Sequence, residues 1–200
     1  QAQAVRSTGL PQTQRCSELK SAALQRATLK NGTRVILAER HDIPVVQFSY
    51  QFPGGFSADQ GRKPGTANFT MSLMAEGAGE RGSLAFSDAA DALGANLDAS
   101  AGLDFSSVDL SALKENLDPS LALYADLLRA PRFDQAEIDR VKASWIAGIA
   151  QEKANPTASA MRVLPPLLYG KGHPYAIPFT GSGDEAAIAQ LTREELVDFH

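Results

Sequence analysis

This chain has a single cysteine, Cys16, so it has no internal disulfide to hold a core. It has three histidines, His41, His173 and His200, too far apart in sequence for the i, i+4 spacing of a helical metal clamp. No apolar run reaches the ~18 residues needed to cross a bilayer as a helix. No cluster of Lys or Arg marks a nucleic-acid surface, and a net charge of -4 works against one. There is no G-x-S-x-G elbow for a serine nucleophile, and the one glycine-rich loop, Gly181-Ser182-Gly183-Asp184, lacks the lysine of a phosphate loop. That loop reads instead as a turn leading to an Asp184 helix cap. What remains is an ordinary globular composition, 44% hydrophobic and 21% charged over 200 residues, enough for one domain with its own core.

Residues 1–22 are polar and aperiodic and read as a linker or leader; residues 23–200 read as a single α+β domain. Asn31-Gly32 between two apolar runs predicts a hairpin closed by a type I′ turn. Val45 to Phe52 alternates and is rich in β-formers, predicting a strand that ends at Pro53-Gly54-Gly55. Thr66 to Ala75 predicts a helix, followed by a second from a Ser83 cap to Leu93, closed by Gly94. Asn96–Ala101 and Phe105–Ala112 predict two strands. Helices are then expected from an Asp118 cap to Leu128, from Gln135 to about Ala154, from Ala158 to Leu168, and from Thr192 to the end; in the last, Glu195 completes a capping box. Strands, two helices, two strands and then helices make an α+β fold, with a mixed or antiparallel sheet covered by helices on one face.

The segment Gly65-Thr66-Ala67-Asn68-Phe69-Thr70-Met71-Ser72-Leu73-Met74-Ala75-Glu76-Gly77 has a recognisable frame. It resembles the metal helix of the pitrilysin/insulinase zinc peptidases, in which H-x-x-E-H sets two imidazoles and a general base on one helical face. Asn68 stands at the first His position, Met71 at the Glu and Ser72 at the second His. Other segments resemble the family in order and spacing: Leu29-Lys30-Asn31-Gly32, Gln51-Phe52-Pro53-Gly54-Gly55, Leu93-Gly94-Ala95, Leu168-Tyr169-Gly170-Lys171-Gly172-His173-Pro174-Tyr175, and Leu191-Thr192-Arg193-Glu194-Glu195-Leu196. Counting back from Asn155-Pro156, Ala147 falls near the place of the family's third ligand, a Glu; Gly148 beside it has no ligating side chain, and Glu152 lies more than a turn away. Without the flanking matches, Phe69, Leu73 and Met74 describe only the buried side of an amphipathic helix.

The resemblance implies a non-catalytic domain with a degenerate motif (Asn68, Met71, Ser72, Ala147), no metal and no hydrolysis by this chain alone. It implies that zinc is carried by a partner half, in the same chain or a partner subunit, and that the two halves enclose a chamber for peptide substrate. It further implies a domain cut short at its C-terminus and a bacterial periplasmic or cell-envelope setting. Leu97, Asp98, Ala99 and Ser100 are the candidate peptide-contacting edge, since a strand edge binds extended peptide through backbone hydrogen bonds. The alternative is a scaffold or assembly subunit of the same fold with no part in proteolysis. A third reading, an unrelated enzyme acting through His41, His173 or the carboxylates Asp98, Asp104 and Asp109, has no supporting pattern; turn residues exposed to solvent are the plainer account of all five.

Overall fold

The computed structural model describes residues 23–200, so the leader expected at 1–22 lies outside the described residues. These residues fall into two compact units, one ending at Ile43 and the other running from Pro44 to His200.

The first unit is the expected hairpin. Strands β1 (Leu24–Thr28) and β2 (Arg34–Ala38) pair antiparallel, with Thr28 opposite Arg34. Its turn differs from the expected type. Gly32 takes positive φ (87°) but Asn31 does not. The amide of Gly32 donates to Leu29 O (2.9 Å), and that of Leu29 donates to Thr33 O (2.8 Å). Asn31 caps the turn instead, its Oδ1 accepting from the Thr33 amide at 3.1 Å. The short side chain thus satisfies the backbone without the left-handed conformation that a type I′ turn would demand.

The second unit is built on a three-stranded antiparallel sheet in the order β3 (Val45–Pro53), β7 (Phe105–Leu113), β6 (Asn96–Ala101). Register places Val46, Phe48, Tyr50 and Phe52 on one face with Leu97, Ala99 and Ala101 and with Ser106, Val108, Leu110 and Ala112. This is the face that meets the helices, and its central row is almost wholly buried. The opposite face is polar through its middle (Gln47, Ser49 and Gln51, then Ser107, Asp109 and Ser111, then Asn96, Asp98 and Ser100), with Val45, Leu113, Pro53 and Phe105 at its two ends. This period-two alternation is the expected α+β pattern, with helices on a single face and every pairing antiparallel.

Helix α1 (Thr66–Met74) packs on β6, and α3 (Leu117–Arg129) packs on β7. Tyr124 fixes α3 to the sheet: its hydroxyl donates to Val108 O at 2.7 Å, and its ring meets Phe48 edge-on. Between α1 and α2 (Ser83–Ala92) lie two short strands that sequence periodicity did not reveal, β4 (Gly77–Ala78) and β5 (Arg81–Gly82). Two residues each are too few for an alternation to register. Ser83 is not the cap of α2. Gly82 holds that position, and the Ser83 hydroxyl donates to Glu76 Oε2 at 2.7 Å. Asp118 likewise sits inside the first turn of α3, whose cap position is Asn116; that side chain donates to Leu93 O rather than capping the helix.

The long helix α4 (Gln135–Ala154) ends where Asn155-Pro156 starts α5 (Pro156–Tyr169). Helix α5 begins two residues before the expected Ala158, because Asn155 Oδ1 accepts from both Thr157 and Ala158 amides at 3.0 Å and Pro156 fits the first helical position. Short helices α6 (Glu185–Ala189) and α7 (Arg193–Phe199) carry the expected Asp184 cap and Thr192/Glu195 capping box.

Candidate functional site

Helix α1 is the hub of the second unit. Ala67, Phe69, Thr70, Met71, Leu73 and Met74 are buried, and the strip that escapes the core is Asn68 and Ser72, one turn apart. Its N-terminus is capped from a distance. Asp59, only 4% exposed, accepts from the Gly65 amide at 2.8 Å and the Ala67 amide at 2.9 Å. Burial pushes its carboxyl up to about 6, although those two amide bonds and Arg62 pull the other way.

Gly65 at the helix entry has φ 94°, and a Cβ there would come within 2.9 Å of Ser182 O. At Gly183 a Cβ would lie 2.1 Å from Pro64 O. The glycine-rich loop 181–183 is therefore used for close backbone packing against the start of α1. Anion binding is not needed to explain it.

Between α1 and α4 lies a cleft of about 400 Å³. Its α1 side is Asn68 and Glu76. Its α4 side is Arg140, Val141, Ser144, Trp145, Gly148, Ile149 and Glu152, and Thr180 and Ser182 close one end. Trp145 is held rigidly: its Nε1 donates to Ser182 O at 2.9 Å, and its ring meets Phe69 perpendicularly at 5.5 Å between centroids. At one end Glu152 Oε2 accepts from Arg162 Nη1 (2.7 Å), Ser182 Oγ (2.9 Å) and Thr180 Oγ1 (3.3 Å). At the other, Glu76 Oε2 accepts from Arg140 and Ser83. Arg140 also pairs with Glu137.

The positions expected to carry the degenerate motif are distributed around this cleft. Asn68 lines it, with Nδ2 donating weakly to Thr180 O at 3.3 Å. Ser72 is half-buried on the same strip, and Met71 points into the hydrophobic core at 2% exposure. Ala147 is exposed and does not line the cleft; Gly148, one residue on, does, as does Glu152 a further turn along. Helical rotation of about 100° per residue accounts for the difference. Zinc requires imidazole, thiolate or carboxylate donors converging at about 2 Å. A neutral amide, a hydroxyl, a core thioether and a glycine do not form that set, so the residues present do not fit the metal. Among the described residues no group of three or more His, Cys, Asp and Glu converges as a metal site.

The histidines stay apart and local. His41 lies 3.6 Å from Glu39 just after the hairpin. His173 stacks on Tyr169, and its Nδ1 accepts from the Tyr175 amide at 3.0 Å. His200 donates to Leu128 O at 3.0 Å. Asp104 accepts from Tyr175 and Ser57.

The candidate edge residues occupy β6, which pairs only with β7 among the described residues. Leu97 and Ala99 face the helices. Asp98 and Ser100 face the open side, and Asp98 sits directly opposite Asp109.

Comparison with known proteins agrees with this architecture. The sequence pattern of Insulinase (Peptidase family M16) matches residues 34–172. A non-peptidase homolog, YmxG of Helicobacter pylori, is 26% identical over 121 residues, covering 60% of this chain and 28% of that protein. The inactive domain of a peptidase M16 from Pseudomonas fluorescens is 30% identical and superposes with a TM-score of 0.83, over 88% of this chain and 42% of that one. A putative M16-like peptidase from Alicyclobacillus acidocaldarius shares the fold with a TM-score of 0.72 at 21% identity, over 90% and 43% of the two chains. The periplasmic protease PqqL of Escherichia coli shares it at 0.74 and 18% identity, over 88% and 20%. This chain thus spans less than half the length of each of these relatives. With its helix frame, its antiparallel sheet and its match over residues 34–172, the chain belongs to the insulinase family, peptidase family M16.

Proposed function

We propose that this chain is a non-catalytic domain of an M16 peptidase assembly, walling a peptide chamber whose zinc is carried by a partner half. The observation that carries this reading is the face of α1 and α4 where the family's metal helix would present its ligands. It shows Asn68, Ser72 and Gly148, while Met71 is absorbed into the core. The inactive M16 domain from P. fluorescens, at 30% identity and a TM-score of 0.83, supports the same reading. The peptide would be met as an extended chain, along the β6 edge at Leu97, Asp98, Ala99 and Ser100, where backbone groups bind with little side-chain selectivity. The periplasm or cell envelope is the compartment we assign, supported by the periplasmic relative. No helix among the described residues is long and apolar enough to cross a membrane.

The test is reconstitution. The chain alone, supplied with zinc, is expected to leave a quenched fluorogenic peptide intact. Mixed or co-expressed with a zinc-bearing M16 half, it should raise hydrolysis by that half. Chelator-sensitive hydrolysis by the chain alone would sink the proposal. A second experiment checks the geometry: Asn68→His, Ser72→His and Gly148→Glu together should create zinc affinity, whereas the same pair with Ala147→Glu should not, because that side chain points away from the cleft.

The name of the H. pylori relative, a non-peptidase homolog, favours a second reading, an assembly subunit without any part in proteolysis. It predicts tight association with a partner and no change in that partner's peptidase rate.

A further inference from the structure

The α1–α4 cleft holds about 400 Å³, and its polar groups are committed unevenly. Its donors, apart from the Ser144 hydroxyl, are turned inward. Trp145 Nε1 is used by Ser182 O, Asn68 Nδ2 faces Thr180 O, and the hydroxyls of Thr180 and Ser182 are spent on Glu152. Arg140, the cation of the lining, is held by Glu76 and Glu137. The acceptors are left over. All three hydrogen bonds to Glu152 fall on Oε2, and both to Glu76 also fall on Oε2. Glu152 Oε1, Glu76 Oε1 and Asn68 Oδ1 therefore have no hydrogen-bond partner among the described residues. Between the two carboxylates lie apolar surfaces, Val141, Ile149 and the indole of Trp145. At Gly148 the wall is open: a Cβ built there has nothing within 4 Å.

A cleft that offers acceptors at its ends and apolar surface along its length matches a cation on an aliphatic stem. An ammonium or guanidinium brings only donors, and an indole in the lining can add a cation–π contribution. An acidic or neutral acceptor-bearing group would meet unpaired oxygens. We propose that the α1–α4 cleft binds a Lys or Arg side chain of a peptide, with Glu152 and Asn68 as the receiving acceptors at one end and Trp145 beside the stem. This rests on the peptide-chamber reading above and adds to it a side-chain preference and a place.

Trp145 is the single tryptophan of the chain, so its fluorescence reports on the cleft directly. The chain is titrated with four capped pentaalanine peptides whose central residue is Lys, Arg, norleucine or Glu. Lys and Arg peptides should bind at least tenfold more tightly than the norleucine peptide, and added salt should narrow the gap. Gly148→Leu should abolish the response while leaving thermal stability unchanged or raised, because the new side chain enters open space on a helix that favours Leu over Gly. Glu152→Gln should reduce the preference for Lys over norleucine at least fivefold, with near-ultraviolet circular dichroism showing the packing intact. Equal binding of norleucine and Lys peptides, binding that survives Gly148→Leu, or no response to any peptide each overturns the proposal. Any of these results alongside enhanced hydrolysis by the reconstituted pair would remove this site and leave the chamber reading standing.

Discussion

Asp59 makes this fold sensitive to pH in an unusual direction. Its carboxylate is almost fully buried and caps α1 through the Gly65 and Ala67 amides. Those bonds favour the ionised form, as does the positive end of the helix, but desolvation outweighs them and raises the pKa from 3.8 to about 6. Between about pH 4 and about pH 6 the folded protein binds a proton that the unfolded chain has released. The stability linked to this group is thus full below about pH 4 and is lost as the pH rises through about 6. At about 1.4 kcal/mol per pH unit the loss amounts to about 3 kcal/mol. Asp59→Asn keeps the shape, resembles the protonated acid and cannot titrate. Urea unfolding of both proteins from about pH 4 to about pH 7 should show the variant gaining on the wild type by about that amount. A difference that stays flat would show that burial does not dominate at this site. A wild type that gains on the variant as pH rises would show that the amide bonds prevail and the pKa is depressed, refuting the reasoning.

Tyr124→Phe removes the bond to Val108 O while keeping the ring against Phe48, and should cost about 1 kcal/mol in urea unfolding. In the wild type, burial pushes this phenol up to about 12, so it should be the last tyrosine to ionise in an alkaline absorbance titration. Gly183→Ala sets a Cβ 2.1 Å from Pro64 O at a residue with φ 71°, and should destabilise by about 2 kcal/mol or more in the same assay. Asn155→Ala strips two amides of their acceptor at the start of α5 and should cost about 1 kcal/mol, with loss of helicity seen by circular dichroism. Asp98→Lys replaces a like-charge pair across β6 and β7 with an attractive one and should stabilise by about 0.5 kcal/mol, an effect that salt diminishes.

Where two or three neighbouring residues carry the information, the sequence was enough to read this fold. Thr192 with Glu195, Asp184 before its helix, and the polar–apolar alternation of 105–112 each encode their structure locally, and each appears as expected. Caps whose outcome depends on a distant partner were not legible. Ser83 is drawn to Glu76 and Asn116 to Leu93 O, so neither performs the capping its side chain suggests. Asp59 left no signal because the amides it serves lie six and eight residues on and its burial follows from tertiary packing. At the site, periodicity located α1, whose exposed strip carries Asn68 and Ser72. Counting back from a proline break along α4 placed the third position at Ala147, and one residue of helix is enough to turn a side chain from the cleft to solvent.

The same geometry separates the residues of α1 that hold the scaffold from those that do not. The side of α1 that holds the fold together, Ala67, Phe69, Thr70, Leu73 and Met74, is packed against sheet and helices, and changes there cost the transfer energy and the cavity together. Asn68 and Ser72 face away from that packing, so their identity carries little of the folding energy. Met71 is the instructive exception. A carboxylate at that position in this packing would lie in the core without a partner, whereas a thioether fills it. Burial of Met71 contributes about 1.5–3 kcal/mol. Met71 thus serves the core, and the cleft of about 400 Å³ beside it is lined by polar groups with uncommitted acceptors.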